Sequence, residues 1–322
     1  MATTDSDVVN YRGELFVYGA YKAPFLNEIS PRAKRSSSKS FPCAQPWTIS
    51  AGSASAISEA TSIASTTATT VSTTQVVNVA EIHKYQVTSS FVKQATSGTF
   101  SGINVNGENP KMDELMFQKK AGLMQVASDL EYSIFNGAYV AEGAAAVISK
   151  SRGLAELITT NTVAAGGKGL SKGMIEEMVR KMLASGSPMN SIVCWANAYN
   201  LQALSDIYGY APPDRNLGGV DIGQFMVPGA GIIRVKYSPQ CPAASIIFAE
   251  MDVIAPVFVP LMAYSSDGNT EPSIDTSEGF DVLYQPTAIT GAARGGFLMT
   301  LFGLDHGPEL YHGSVTGLAT AD

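Results

Sequence analysis

The sequence predicts an α+β fold: an extended segment and an unusually long helix, followed by a compact unit of alternating helices and strands. Three observations predict it. Residues 41 to about 107 carry strand-like patterning with no core of their own. Residues 110–136 carry one helical apolar face. Residues 171–250 then read helix, strand, helix, strands, the order of a mixed layered unit.

Taken in order, residues 1–40 read as an irregular arm. Its stretch "YKAPFLNEIS" offers Phe25, Leu26 and Ile29 as an apolar anchor between polar flanks. The short basic cluster "PRAKRSSSK" (Arg32, Lys34, Arg35, Lys39) reads as a solvated loop, with a nucleic-acid-facing role as the lesser alternative.

From Phe41 the chain turns extended. The tract "ASAISEATSIASTTATTVSTT" (Ala54–Thr74) holds one charged residue, Glu59, and neither glycine nor proline. It precedes "TTQVVNVAEIHKYQVTSSFVKQAT", rich in β-branched and aromatic residues, where Ile82, Lys84 and Gln86 alternate with His83, Tyr85 and Val87. The two runs predict the limbs of one long hairpin.

The character changes at "ENPKMDELMFQKKAGLMQVASDLEYSIFNGAY". Asn109 is an N-cap with Pro110 at the first helical position, and Asn136-Gly137 is the stop. Leu123, Val126, Ala127, Leu130 and Ile134 recur at spacings of three and four. At 1.5 Å per residue the helix spans about 40 Å. Gly122 inside it predicts a close backbone contact or a bend, since glycine there costs about 1 kcal/mol relative to alanine.

A second helix, "KGMIEEMVRKMLA", is capped by Ser171, buries Met174, Ile175, Met178 and Met182, and ends at Gly186 and Pro188. The apolar run "NSIVCWAN" reads as a buried strand, and Asn197 caps a third helix, "AYNLQALSDIYG". Strands follow in "GVDIGQFMV", "GIIRVKY" and "SIIFAE". The stretch "GGFLMTLFGLDHGPELYHGSVTGL" reads as two strands around a turn at His306-Gly307-Pro308.

Composition narrows the function. An apolar content of 45% fills real cores in a chain of 322 residues, while only 15% of residues are charged, against a usual quarter. Neutral, small-residue surface fits burial between protein copies, and fits a merely low-charge monomer equally well. The net charge of −7 argues against a dedicated nucleic-acid binder. Cys43, Cys194 and Cys241 lie far apart with no C-x-x-C pair, which fits a reducing cytoplasm rather than a disulfide framework or zinc site. The start "MATTDSDVVNYRG" lacks signal-peptide patterning. The most apolar stretch, Ser245–Tyr264, is broken by Glu250, Asp252, Pro256 and Pro260, so no membrane span is expected.

Catalytic motifs are scarce. "AAGGKGLS" and "GAARGG" lack the spacing of a phosphate loop, and no G-x-S-x-G, H-E-x-x-H or dinucleotide fingerprint occurs. The one constellation with metal-ligand chemistry is "LDHGPELYH", where Asp305, His306, Glu309 and His312 fall within eight residues. Solvated turn residues are the default reading there. A metal-dependent hydrolase using Asp305, His306 and His312 is the weak alternative.

The order of arm, extended hairpin, long helix, helix-strand-helix unit and β return resembles the HK97-fold major capsid proteins of tailed bacteriophages. Five stretches are similar to the SU10-like branch of that family: "APFLNEI", "QPWTISA", "VVNVAEIHKYQVTSSFVKQA", "KKAGLMQVASDLEYSIFNG" and "LSKGMIEEMVRKMLASGSPMNSIVCWANAYNLQALSDI". The resemblance implies an N-terminal arm (1–40), an extended loop or E-loop (41–108) and a peripheral domain (109–168) with a spine helix at 110–136. It further implies an axial domain (169–265) and a C-terminal return into the peripheral domain (266–322). The implied function is self-assembly through pentamers and hexamers into an icosahedral shell around double-stranded DNA, without catalysis, cofactor or metal. The alternative on the same fold is an encapsulin-like compartment shell. Implied partners are copies of the chain itself, a scaffolding protein and a portal, with a decoration protein and non-specific contact with packaged DNA allowed, and no membrane. No fused scaffolding segment is visible before the arm, which implies a separate scaffold or a cleaved precursor. The implied location is the virion capsid, assembled in the cytoplasm of the bacterial host. Phe25, Trp47, Ile57, Ile63, Val71, His83 and Tyr85 are the expected subunit contacts.

Overall fold

The structure is a computed structural model. It describes residues 22–45, 75–91, 114–143, 148–208, 223–261, 282–287 and 292–320, together with residues 47, 59, 73, 263, 264, 270 and 271. Ile57, Ile63 and Val71, most of the Ser/Thr tract, and the expected cap at Asn109 and Pro110 lie outside the described residues.

Within the arm, where irregular chain was expected, stands a six-residue helix, α1 (Pro24–Ile29). Pro24 starts it because the first turn needs no N–H donor from that position. Phe25, Leu26 and Ile29 are fully buried by it. A 3-10 turn (Ser30–Arg32) leads to β1 (Lys34–Arg35).

The limbs of the expected hairpin meet at a neck. β2 (Ser40–Ala44) pairs antiparallel with β3 (Val76–Val79), Ser40 opposite Val79 and Ala44 opposite Val76. The returning limb ends sooner than the sequence suggested. β4 (Glu81–Ser90) belongs to a sheet, pairing antiparallel with the C-terminal strand β14 (Ala293–Asp305) from Glu81–Phe302 to Ser90–Ala293.

In this first sheet β4 takes one edge of β14. β13 (Leu283–Pro286) and β10 (Ala255–Phe258) share the other edge, and β1 lies parallel to β10. The alternation read in β4 holds: Ile82, Lys84 and Gln86 are exposed, while Tyr85 and Val87 turn inward. Across that inner face runs α2 (Glu114–Asn136), a single helix of 23 residues with Val126, Leu130 and Ile134 buried. The close contact expected at Gly122 is present. A methyl group there would stand 2.7 Å from both Leu298 Cδ1 and Tyr85 Cδ1, so glycine lets helix and sheet approach.

After α2, a one-turn helix, α3 (Leu154–Leu157), leads to β5 (Thr162–Ala164) at the margin of a six-stranded sheet. Its order is β5, β15 (Gly313–Thr316), β9 (Ser245–Glu250), β6 (Ile192–Ala196), β8 (Gly231–Tyr237) and β7 (Gln224–Val227). Every residue of β6 is buried because both faces are covered, which is why it reads as an unbroken apolar run. Val193 and Trp195 join the core shared with α1, α2 and the first sheet. Ile192, Cys194 and Ala196 join a second core under α4 (Lys172–Ala184) and α5 (Ala198–Tyr208). Asn197 Oδ1 caps α5, accepting the Asn200 N–H at 2.9 Å. Ser171 has cap geometry but its hydroxyl makes no capping bond, and Gly186 (φ +84°) ends α4. A small ribbon of β11 (Ala263–Tyr264) and β12 (Thr270–Glu271) completes the described strands.

One reading of the sequence needs correction. The C-terminal strands are no hairpin around His306-Gly307-Pro308: β14 stays in the first sheet, and residues 306–312 carry the chain across to place β15 in the second. Residues 169–265 supply strands to both sheets. A 3-10 turn (Met251–Val253) sends the chain from β9 into β10 of the first sheet, while β5, upstream of 169, joins the second. Short strands buried on both faces show which residues are inside, not which sheet they join.

Candidate functional site

The ligand set expected from Asp305, His306, Glu309 and His312 does not converge. Each group is engaged locally at the crossing between the sheets. Asp305 pairs with Lys34. Glu309 accepts the N–H groups of Thr159 and Thr160, at 2.9 and 2.7 Å. His312 is fully buried, its Nδ1 accepting the Glu250 N–H at 3.2 Å and its Nε2 donating to His306 O at 2.7 Å. His306 donates from Nδ1 to Gly307 O at 2.7 Å, leaving Nε2 buried and unpartnered among the described residues. These side chains are not solvated turn residues but fasteners of the crossover. Among the described residues no group of three or more His, Cys, Asp or Glu is placed to hold a metal ion.

Burial lowers the His306 pKa and brings that of His312 down to about 4. An unfolded chain takes up the His312 proton near 6.5, and the fold resists it until about pH 4. Stability from this site is therefore full above pH 6.5 and lost as the pH falls through 4. The loss amounts to about 3 kcal/mol. Urea melts at pH 7 and 4 should show that increment in the wild type and not in His312→Gln; equal pH dependence in both would remove His312 as its source.

The expected contact residues divide. Phe25 is spent inside its own subunit, its ring centroid 4.7 Å from that of Trp195 and 5.1 Å from that of Phe135. Tyr85 packs inward near Gly122, and His83 Nε2 lies 2.8 Å from Glu81 Oε1 on the same side of β4. In β4, strand alternation turns His83 and Tyr85 to the inner face and leaves Ile82 outside, 57% exposed, while Phe25 is buried from α1. Trp47, just past the neck, is 58% exposed. Sequence reading also missed Met226 and Ile232, directly opposed across β7 and β8 and largely exposed.

Asn78 was missed too, although a lone amide within "VVNVA" is a readable signal. Its Nδ2 donates to Leu304 O at 2.8 Å and to Ser151 Oγ at 3.2 Å, and its Oδ1 accepts the Arg152 N–H at 2.8 Å. The neck is thereby pinned to β14 and to the loop after α2. The basic cluster is partly neutralised within the subunit: Arg32 meets Asp252 at 3.7 Å and Lys34 meets Asp305. Among the described residues no helix is long and apolar enough to cross a membrane.

A long helix laid across one sheet, a second sheet with its own helices, and the paired strands β2 and β3 make up a fold of the HK97-like class. Known structures share this fold. The capsid of the native GTA particle aligns at TM-score 0.60 and 12% identity, over 99% of this chain and 98% of the other. The capsid of cyanophage A-1(L) aligns at 0.60 and 12%, over 99% of both chains. The SrpI encapsulin complex from Synechococcus elongatus aligns at 0.54 and 9%, over 95% and 94%. None of the curated proteins matches. The SU10 major capsid protein family matches residues 1–319, and the chain belongs to that family.

Proposed function

We propose that this protein is the building block of a tailed-phage head, closing through pentamers and hexamers into an icosahedral shell around double-stranded DNA, without catalysis or a cofactor. The observation that carries the reading is the family match across residues 1–319. The first sheet with α2 serves as the peripheral domain and the six-stranded sheet with α4 and α5 as the axial domain. The β2–β3 neck is the base of the E-loop. Trp47, with Ile57, Ile63 and Val71 beyond it, contacts a neighbouring subunit. Low charge in that loop keeps the desolvation cost of docking small. A scaffolding protein, a portal and a decoration protein are the partners, and assembly takes place in the cytoplasm of the bacterial host.

The test is assembly. The full chain, expressed alone and with a scaffold, should give rings or closed shells by electron microscopy and sedimentation, and particles from producing cells should hold nuclease-protected DNA. A chain that stays monomeric in every condition would overturn the proposal. Particles filled with a protein cargo instead of DNA would favour an encapsulin-like compartment.

A further inference from the structure

Glu131 is a carboxylate buried on α2, fully screened from solvent, and three segments meet at it. Its Oε2 accepts the backbone N–H of Phe25 at 3.0 Å and of Leu26 at 3.3 Å, at the start of α1. Its Oε1 is hydrogen-bonded to Ser238 Oγ, in the turn after β8. Ser238 is itself tied to the second sheet, donating its N–H to Ala196 O at 3.1 Å. The rings of Phe25, Phe135 and Trp195 belong to the same core.

The charged groups on the surrounding elements are otherwise occupied. Glu28 of α1 pairs with Lys236 at 2.9 Å and Arg234 at 3.8 Å, both from β8. Asp129 of α2 is exposed and accepts from Gln125. Cys241, in the turn after β8, is pushed by burial up to about 12, and Cys194 of β6 is raised as well, so both thiols stay neutral. Among the described residues no ion pair includes Glu131.

We propose that Glu131 is a proton-operated latch that fastens the arm helix to α2 and the second sheet in its acid form and loosens that attachment when it ionises. Burial without a cation pushes its carboxyl up to about 7, against the lowering pull of the Ser238 hydroxyl and the Leu26 and Phe25 N–H groups. Once the arm lifts away, the carboxyl meets water and titrates near its ordinary 4.5. Docking therefore takes up a proton between those values. Attachment is strongest below pH 4.5, weakens as the pH rises, and levels off above 7.

The test is hydrogen exchange on the unassembled full chain, followed in the peptide carrying the Phe25 and Leu26 amides and corrected for intrinsic rates. Between pH 5 and 8 protection should fall on the order of a hundredfold in the wild type. In Glu131→Gln it should stay high, because the amide reproduces the acid form, accepting both arm N–H groups and donating to Ser238 Oγ. Ser238→Ala, which removes a donor to the carboxylate, should shift the midpoint to higher pH and provides the test should Glu131→Gln fail to fold. Wild-type protection that does not change with pH, a pH dependence shared by Glu131→Gln, or a midpoint unmoved in Ser238→Ala would each overturn the latch.

Discussion

Leu130→Asp yields no folded subunit. Leu130 is completely buried on the face of α2 that packs against the first sheet, in the core that also holds Phe25, Trp195 and Phe302. Losing the leucine alone costs about 2 to 5 kcal/mol. A carboxylate left there without a partner adds several more. The sum approaches or exceeds the whole stability of a typical domain, about 5 to 15 kcal/mol. Expression trials with circular dichroism should find the variant insoluble or unfolded, whereas Leu130→Ala should fold and melt at lower temperature. A soluble Leu130→Asp subunit with a cooperative melt would mean that this face of α2 is not part of the core.

Deleting residues 53–74 has the opposite profile: the subunit folds and closed shells are lost. The β2–β3 neck and the Asn78 bonds that pin it lie outside the deletion, and the core clusters of the described residues draw nothing from it. Residues 45–52 with Gln75 remain to join Ala44 to Val76, ample for a hairpin loop, which needs only about 2 to 5 residues. Under the proposed function, what disappears is the reach of one subunit onto the next. Thermal melts should match those of the full chain while electron microscopy shows free subunits or open capsomers. Failure to express a soluble chain would show instead that the loop helps to hold its own subunit together.

The local grammar of the chain was legible wherever one face alone is buried. The apolar stripe of α2, the contact at Gly122, the alternation along β4, and the Met178 and Met182 stripe of α4 follow from periodicity and the size of a glycine. Partnership was not legible. Val257 and Ile247 are both buried strand residues ten positions apart, yet they belong to different sheets, since the 3-10 turn between them redirects the chain. Phe25 looked available for a neighbour because nothing in six residues of helix reveals that Phe135 and Trp195 converge on it from elsewhere. His306 and His312 looked solvated because a Gly-Pro turn motif predicts exposure, whereas a crossover between two sheets buries what it contains. In β4, alternation alone was enough to tell the exposed Ile82 from the inward-facing Tyr85.

The position of β15 has a consequence for the order in which the molecule is made. The strand lies inside the six-stranded sheet, parallel to β5 on one side and antiparallel to β9 on the other. On the ribosome, β6, β7, β8 and β9 emerge first and can pair, but β5 has no described sheet neighbour until residues 313–316 leave the exit tunnel. Non-local pairing of this kind forms late, because the loop it closes is long. A nascent or truncated chain therefore presents an unfinished sheet, and completion of translation is coupled to completion of this half of the fold.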